Sequence, residues 1–439
     1  MRKIKSFTFY SVVVVVGLIW LVLAGGACNQ NSSSASVKPA AVESKPENPA
    51  VTSPMNREVE TAQKLIEKSP NAPNGYNSLS VAYIQSARET GDFSLNSKAE
   101  TAVSRALELD PENPTAQKLR TSLMLTFHRF AEALEAGTQL QAKYPQDAFV
   151  YGVLTDANVE LGNYKEAIDV VQKMVDLRPN MESYARVSYV RSLHGDSKGS
   201  IEAMQTAAKI ADPLNKESQA WCLVHLGNEF FKIGNYAEAE KQYDTALKVF
   251  PNYHFALAGK GRARAARDDF ESAVKFLTES NNRVPNVEDV IYLGDVYSKI
   301  GKQDEANKQY ELAQFIERQP GNTDQRRLAL LWADRDTKLD EALEIAKREH
   351  ETRKDIFTAD IYAWCLYKKG QFQEAKSAIT EAMRLKTKDA RIFYHAGMIE
   401  KSLGNTKEAK RLLQAALQTN PFFDILQSDN AKSVLREIK

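Results

Sequence analysis

The chain has 439 residues, of which 43% are hydrophobic and 26% charged, and its formal net charge is +1. This length suits several domains or one long repeat array, and the composition is that of an ordinary soluble body. The near-neutral charge argues against a nucleic-acid or polybasic membrane surface, and three cysteines make no disulfide framework in a chain this long.

Met-Arg-Lys-Ile-Lys at the N-terminus leads into an apolar run that ends in small residues and Cys28. That order is the anatomy of an export signal. Removing Arg2, Lys3 and Lys5 with it takes the net charge from +1 to −2. The ending Ala24-Gly25-Gly26-Ala27-Cys28 resembles the lipobox of bacterial lipoproteins, a family in which the cysteine becomes the lipidated first residue. Gly25 stands where that family usually carries leucine. The run from Phe7 to Ala27 is also roughly 20 residues, enough to span a bilayer uncleaved. Residues 1–27 are therefore expected to be a signal peptide or a membrane anchor. Lipidation at Cys28 is the first expectation, and an uncleaved anchor or plain secretion are its alternatives. Cations clustered before the apolar run hold the N-terminus in the cytoplasm, so all three place the rest of the chain outside it.

Residues 28–55 are rich in Ser, Pro and Ala and have no apolar periodicity. Such a stretch cannot bury enough surface to offset the entropy of ordering, and it is expected to be a flexible, disordered tether. It would reach roughly 30 Å as a coil and roughly 90 Å at full stretch.

The remainder is one phrase repeated. Prolines stand at 111, 145, 179, 213, 251 and 285, and a Glu-Ala phrase recurs with its small residue at Ala133, Ala167, Ser200, Ala239, Ala273, Ala306, Ala342, Ala375 and Ala409. The copy over 218–253 gives the physical reason. Leu223, Leu226, Phe230 and Ile233 fall at helical spacing and predict one apolar face. Gly227 on that face admits a partner helix. Gly234 is predicted to stop the first helix, and Ala239, Tyr243, Ala246 and Leu247 to face back from the second. Pro251 ends the pair. Each hairpin then needs another to cover its open side.

With this period and these residues the chain resembles the tetratricopeptide repeat family over about 56–423. The resemblance implies an all-α, right-handed α-solenoid of about ten helix hairpins, closed by a capping helix in 424–439. An extra helix over about 56–68 is expected to cap the start, and the opening copy at about 74–111 carries an insertion, RETGDFSLNS. The longer junctions at 213–220 and 314–326 predict either a bend or a seam. Most members of the family are binding scaffolds that present the concave face of their first helices.

On that face two groups are candidates for binding. One is Trp364, Tyr367 and Lys368 with Arg391, Tyr394, Met398 and Lys401, since aromatics interspersed with cations dominate protein interfaces. They line the groove or pack between neighbouring pairs. The other is Trp221, Asn228, Phe231 and Lys232, where Asn228 and Lys232 could bond an extended peptide. The carboxylate clamp of some relatives is incomplete, because Val224 stands where a lysine is needed. Lys260 and Arg264 occupy usually apolar positions, which predicts snorkelling stems; the sharper alternative has Arg262 and Arg264 meeting a partner's carboxylate.

No metal spacing, phosphate loop or nucleophile motif stands out, so no enzyme, cofactor or metal is expected. Cys222 and Cys365 read as buried structural thiols. The expected function is a scaffold that binds another envelope protein or peptide. Glycan or small-solute binding on Trp364, Tyr367 and Tyr394 is the alternative.

Overall fold

The computed structural model describes residues 54–318 and 324–438. The expected signal or anchor, Cys28 and nearly all of the expected tether lie outside the described residues. Within them every regular element is an α-helix, 22 in all. The helix α1 (Pro54–Lys68) precedes ten hairpins. The first five are α2–α3 (Pro73–Thr90, Leu95–Leu109), α4–α5 (Pro114–Thr126, Phe130–Lys143), α6–α7 (Ala148–Glu160, Tyr164–Leu177), α8–α9 (Met181–Leu193, Ser197–Ile210) and α10–α11 (Lys216–Lys232, Tyr236–Val249). The next five are α12–α13 (His254–Ala265, Phe270–Arg283), α14–α15 (Val287–Lys299, Gln303–Glu317), α16–α17 (Arg326–Asp334, Leu339–Thr352), α18–α19 (Ile356–Lys368, Phe372–Ala382) and α20–α21 (Ala390–Ser402, Thr406–Thr419). The helix α22 (Gln427–Glu437) closes the chain. No described helix is long and apolar enough to cross a membrane.

Each hairpin is built as its sequence predicts. Asn or Asp begins many first helices with its side chain on a free backbone N–H: Asn113 on Ala116, Asp147 on Phe149, Asn215 on Ser218. Such caps satisfy donors that the helix itself cannot. The two helices cross where side chains vanish: a Cβ on Gly227 would lie 2.5 Å from Cε1 of Tyr243, which is itself buried. Ala239 and Ala246 are fully buried beside it. One expected core residue is misplaced, because Ile233 caps the end of α10 and is 40% exposed.

The longer junctions are no seam. Met204, Ala207 and Ala211 share a core with Cys222 and Leu226 across the first, and Tyr310, Ala313 and Ile316 share one with Leu328 and Trp332 across the second. The hairpins therefore stack without interruption.

The solenoid then closes on itself. The turns inside the early hairpins lie against the loops that follow later hairpins. A Cβ on Gly91 would meet Val284 at 2.3 Å; on Gly162, the carbonyl oxygen of Lys354 at 2.5 Å; on Gly195, that of Lys386 at 2.6 Å; on Gly234, Cδ of Pro421 at 3.2 Å. Side-chain bonds follow the same register. The amide of Ile356 donates to the Tyr164 hydroxyl (2.9 Å), Thr387 donates to the Leu193 carbonyl, and Tyr236 donates to Asn420 (2.5 Å) while accepting from the amide of Phe422 (3.1 Å). These partners are 184 to 194 residues apart. At a period near 34 residues that is about five and a half hairpins per superhelical turn. The result is two tiers in contact, with one core running through both: Val159, Tyr164 and Leu193 pack with Ile356, Leu366 and Ile379.

Candidate partner-binding surface

Charge is concentrated where the tiers meet. Arg353 reaches Glu160 with one guanidinium nitrogen and Asp324 with the other (3.0 Å). Arg326 holds Asp324 through Nε and Nη2, both at 2.9 Å, and donates to Thr358 (2.8 Å). Burial would raise the Asp324 carboxyl, but Arg326 and Arg353 outweigh it and hold it well below the usual carboxylate range. His128 lies 4.0 Å from Asp324, and burial, aided by Arg353, lowers its pKa to about 3. The buried carboxylates and guanidinium groups pair with one another across the tiers, so the cluster is a brace and not an open site.

The C-terminal candidate is buried. Trp364 is 2% exposed, stacked on Tyr367 (4.7 Å between rings) and His395 (4.1 Å), with its indole donating to Asp334 (2.7 Å). Tyr394, also 2% exposed, packs on Phe423 and accepts a bond from Asn430 (2.7 Å). Met398 is buried in the same core as Ala431 and Val434 of α22. Lys368 pairs with Asp336 (2.8 Å) over the Trp364 ring, and Lys401 pairs with Glu437 (3.2 Å). Arg391 alone is exposed, among the carboxylates of Asp424, Asp334, Asp389 and Asp360.

The cause is the tail. Ile425 is buried against Leu293 and Val296 of α14, Gln427 donates to Asp334 (2.5 Å), and Asp429 pairs with Lys299. The segment after α21 thus fills the concave side of the late hairpins, in addition to capping the last one. The aromatic platform expected for a sugar is therefore covered.

The central candidate is half-buried and mostly engaged. Trp221 lies on His225 (3.9 Å between rings), Asn228 accepts from the Tyr243 hydroxyl (2.8 Å), Phe231 packs on Tyr236 (5.3 Å), and Lys232 pairs with Glu229 (2.6 Å). Val224 is buried beneath. The cations of α12 meet the chain's own acids: Lys260 to Asp244 (2.7 Å), Arg262 to Asp289 (3.4 Å) and Arg264 to Glu240 and Asp269. Cys222 and Cys365 are free and buried.

An open concavity exists elsewhere, on the rim of the first tier against which none of the described hairpins is stacked. The N-terminal ends of α4, α6, α8 and α10 converge there on a groove of about 790 Å³. Phe149, Met174, Leu177 and Ile210 supply apolar wall, and Lys118, Asp147, Arg178 and Glu182 supply charge. Beneath it Arg186 is buried in a bidentate pair with Asp156 (2.9 and 2.7 Å), which fixes the floor. At its edge Leu214 is 90% exposed and Ile210 43%. Sequence reasoning missed this surface because it looked along first helices, whereas the groove runs across helix ends. A signal was present: Leu214 is an apolar residue directly after Pro213, in a loop of the lengthened junction. Among the described residues no cluster of His, Cys, Asp or Glu could hold a metal.

Ten stacked hairpins, most of them with glycine turns, and small crossing residues define an α-solenoid repeat protein. Tetratricopeptide repeat family models match residues 225–280 and 390–423. These two matched repeats, together with the stacked hairpins, support a tetratricopeptide repeat family, whose proteins are generally non-catalytic scaffolds that bind proteins. Among curated proteins, anaphase-promoting complex subunit 3 of Schizosaccharomyces pombe is 25% identical over 194 residues, which are 44% of this chain and 29% of that protein. The chain thus spans less than a third of that relative's length. Similar solved structures include yeast Tom70 (14% identity, 87% of this chain and 93% of that one, TM-score 0.39). Others are the human IFIT1 dimer with PPP-AAAA (12%, 83% and 94%, 0.46) and PilW, a type IV pilus biogenesis factor (14%, 48% and 97%, 0.40). None of these likenesses carries a functional assignment.

Proposed function

We propose that this protein is a non-enzymatic adaptor, tethered by its N-terminus on the extracytoplasmic side of a bacterial envelope, that docks another envelope protein or peptide. The observation that carries the reading is the open groove across the ends of α4, α6, α8 and α10, with Leu214 and Ile210 exposed at its edge. Apolar anchors within a polar rim are the composition of a protein-docking surface. The basic start, apolar run and Cys28 support the envelope location and the lipid anchor. A glycan-binding function on Trp364 and Tyr394 loses its support, since both rings are buried.

The test is crosslinking in living cells from a photoreactive residue placed at Phe149 or Leu214. Adducts with a defined protein from these positions, and none from Trp364, are expected. Equal labelling from all three would overturn the assignment of the surface. For the anchor, fatty-acid labelling should be lost in Cys28→Ala, and normal maturation of that variant would exclude lipidation.

A further inference from the structure

The free rim of the first tier and the free rim of the second are the two halves of a contact the chain already makes once. Inside the chain, early turns sit under later loops: Gly162 under Lys354, Gly195 under Lys386 and Gly234 under Pro421. Pro421 lies over Gly234, and the residue two places after the glycine takes a backbone N–H from the loop: Tyr236 from Phe422, as Tyr164 does from Ile356.

The second tier repeats the turn half of this contact, and among the described residues no loop lies upon these turns. Gly301, Gly370 and Gly404 keep φ of 75–79°, and an added Cβ on any of them would meet nothing within 4 Å. Phe372 stands two places after Gly370, where Tyr164 and Tyr236 stand after theirs. The first tier repeats the loop half. Pro111, Pro145, Pro179 and Pro213 are exposed and spaced by 34, while the upper turns at 301, 336, 370 and 404 are spaced by 35, 34 and 34. Apolar side chains are left open on both rims, Leu214 and Ile210 on one and Ile300 on the other.

We infer that a second copy of this chain stacks on the first, seating its loops at Pro111, Pro145, Pro179 and Pro213 on the turns at Gly301, Asp336, Gly370 and Gly404. The superhelix then continues from molecule to molecule. This rests on the reading of the first-tier groove as a docking surface and names its occupant. The contact joins two different faces, so it is heterologous and does not close on itself; it yields open chains of copies. The register of Pro421 on Gly234 brings Phe422 to Tyr236, and the same register brings Leu214 to Thr406, both exposed.

The test uses the full chain in detergent micelles with Leu214→Cys and Thr406→Cys together, oxidised mildly and resolved without reductant. A ladder of dimers, trimers and higher species is expected. Each single variant should remain monomeric, and a mixture of the two singles should stop at the dimer. The unsubstituted chain, run alongside, reads any adduct through Cys28. In sedimentation at rising concentration, Leu214→Arg should raise the concentration for half-assembly at least tenfold, with unchanged circular dichroism. A double variant that gives only the species of its singles would overturn the inference, as would a Leu214→Arg midpoint equal to the parent's. If Leu214→Cys instead forms a disulfide with a different protein in cells and the double variant gives no ladder, the second copy is wrong while the docking groove stands. If neither forms, both fall.

Discussion

Two sets of glycine turns have the same local geometry and different surroundings. Gly162, Gly195 and Gly234 end first helices with φ of 74–77° and lie directly under the second tier. Gly301, Gly370 and Gly404 end first helices with φ of 75–79° and face open space. The left-handed backbone is a local need of the hairpin and explains glycine in both sets. The missing side chain is a tertiary need and applies only to the first. His128, Asp268 and Asp336, with φ of 51–60°, show that the backbone alone can be served by other residues.

The brace between tiers should give the largest difference. Arg353→Met would leave Glu160 and Asp324 buried without their shared partner, a loss of about 3–5 kcal/mol in urea unfolding. A cost below about 1 kcal/mol would mean that the tiers do not meet there. Gly162→Ala and Gly195→Ala combine left-handed strain with a collision against a fixed carbonyl and should cost about 3 kcal/mol. Gly370→Ala and Gly404→Ala carry the strain alone, about 1 kcal/mol. Equal midpoints for the two sets would erase the distinction.

Acid should act on the same contact. His128 is held neutral in the folded protein, with a pKa of about 3 against 6.5 for the free side chain. Between those values the unfolded chain binds the extra proton, so stability is full above about pH 6.5 and falls by up to about 1.4 kcal/mol per unit below it. Asp324, held low by Arg326 and Arg353, adds loss of the same sign as pH falls below the ordinary carboxylate value. His128→Asn keeps a residue suited to positive φ and should flatten the His-dependent part of a pH series of melts. An unchanged slope would place the titration elsewhere. An effect as small as that of the open glycines is expected from Tyr236→Phe, which removes one clasp to Asn420 and Phe422 and should cost about 1 kcal/mol.

The hairpins were legible because their causes are local. Spacing, turn glycines and small crossing residues act within one 34-residue unit, and Gly227 against Tyr243 is the same event in copy after copy. The site was not legible, because its causes act at a distance. Nothing near Trp364 or Tyr394 in sequence announces that Asp334 will hold the first and that Phe423 and Asn430 will cover the second. Likewise Glu160 and Arg353 are 193 residues apart, and only the pitch of the superhelix brings them together. The concave-face rule holds for an array that stays open; this one winds tightly enough, and carries enough tail, to cover much of that face.

The clasp of Asn420 and Phe422 on Tyr236 also bears on how such a chain can change over evolutionary time. An array whose units touch only their neighbours can gain or shed a unit and simply become longer or shorter. Here the loss of any hairpin between Gly234 and Pro421 would carry every later loop about a fifth of a revolution away from the turn it covers. Insertions and deletions within that stretch should therefore be tolerated only at the rims, and the number of hairpins becomes as fixed a property of the molecule as any residue in its core.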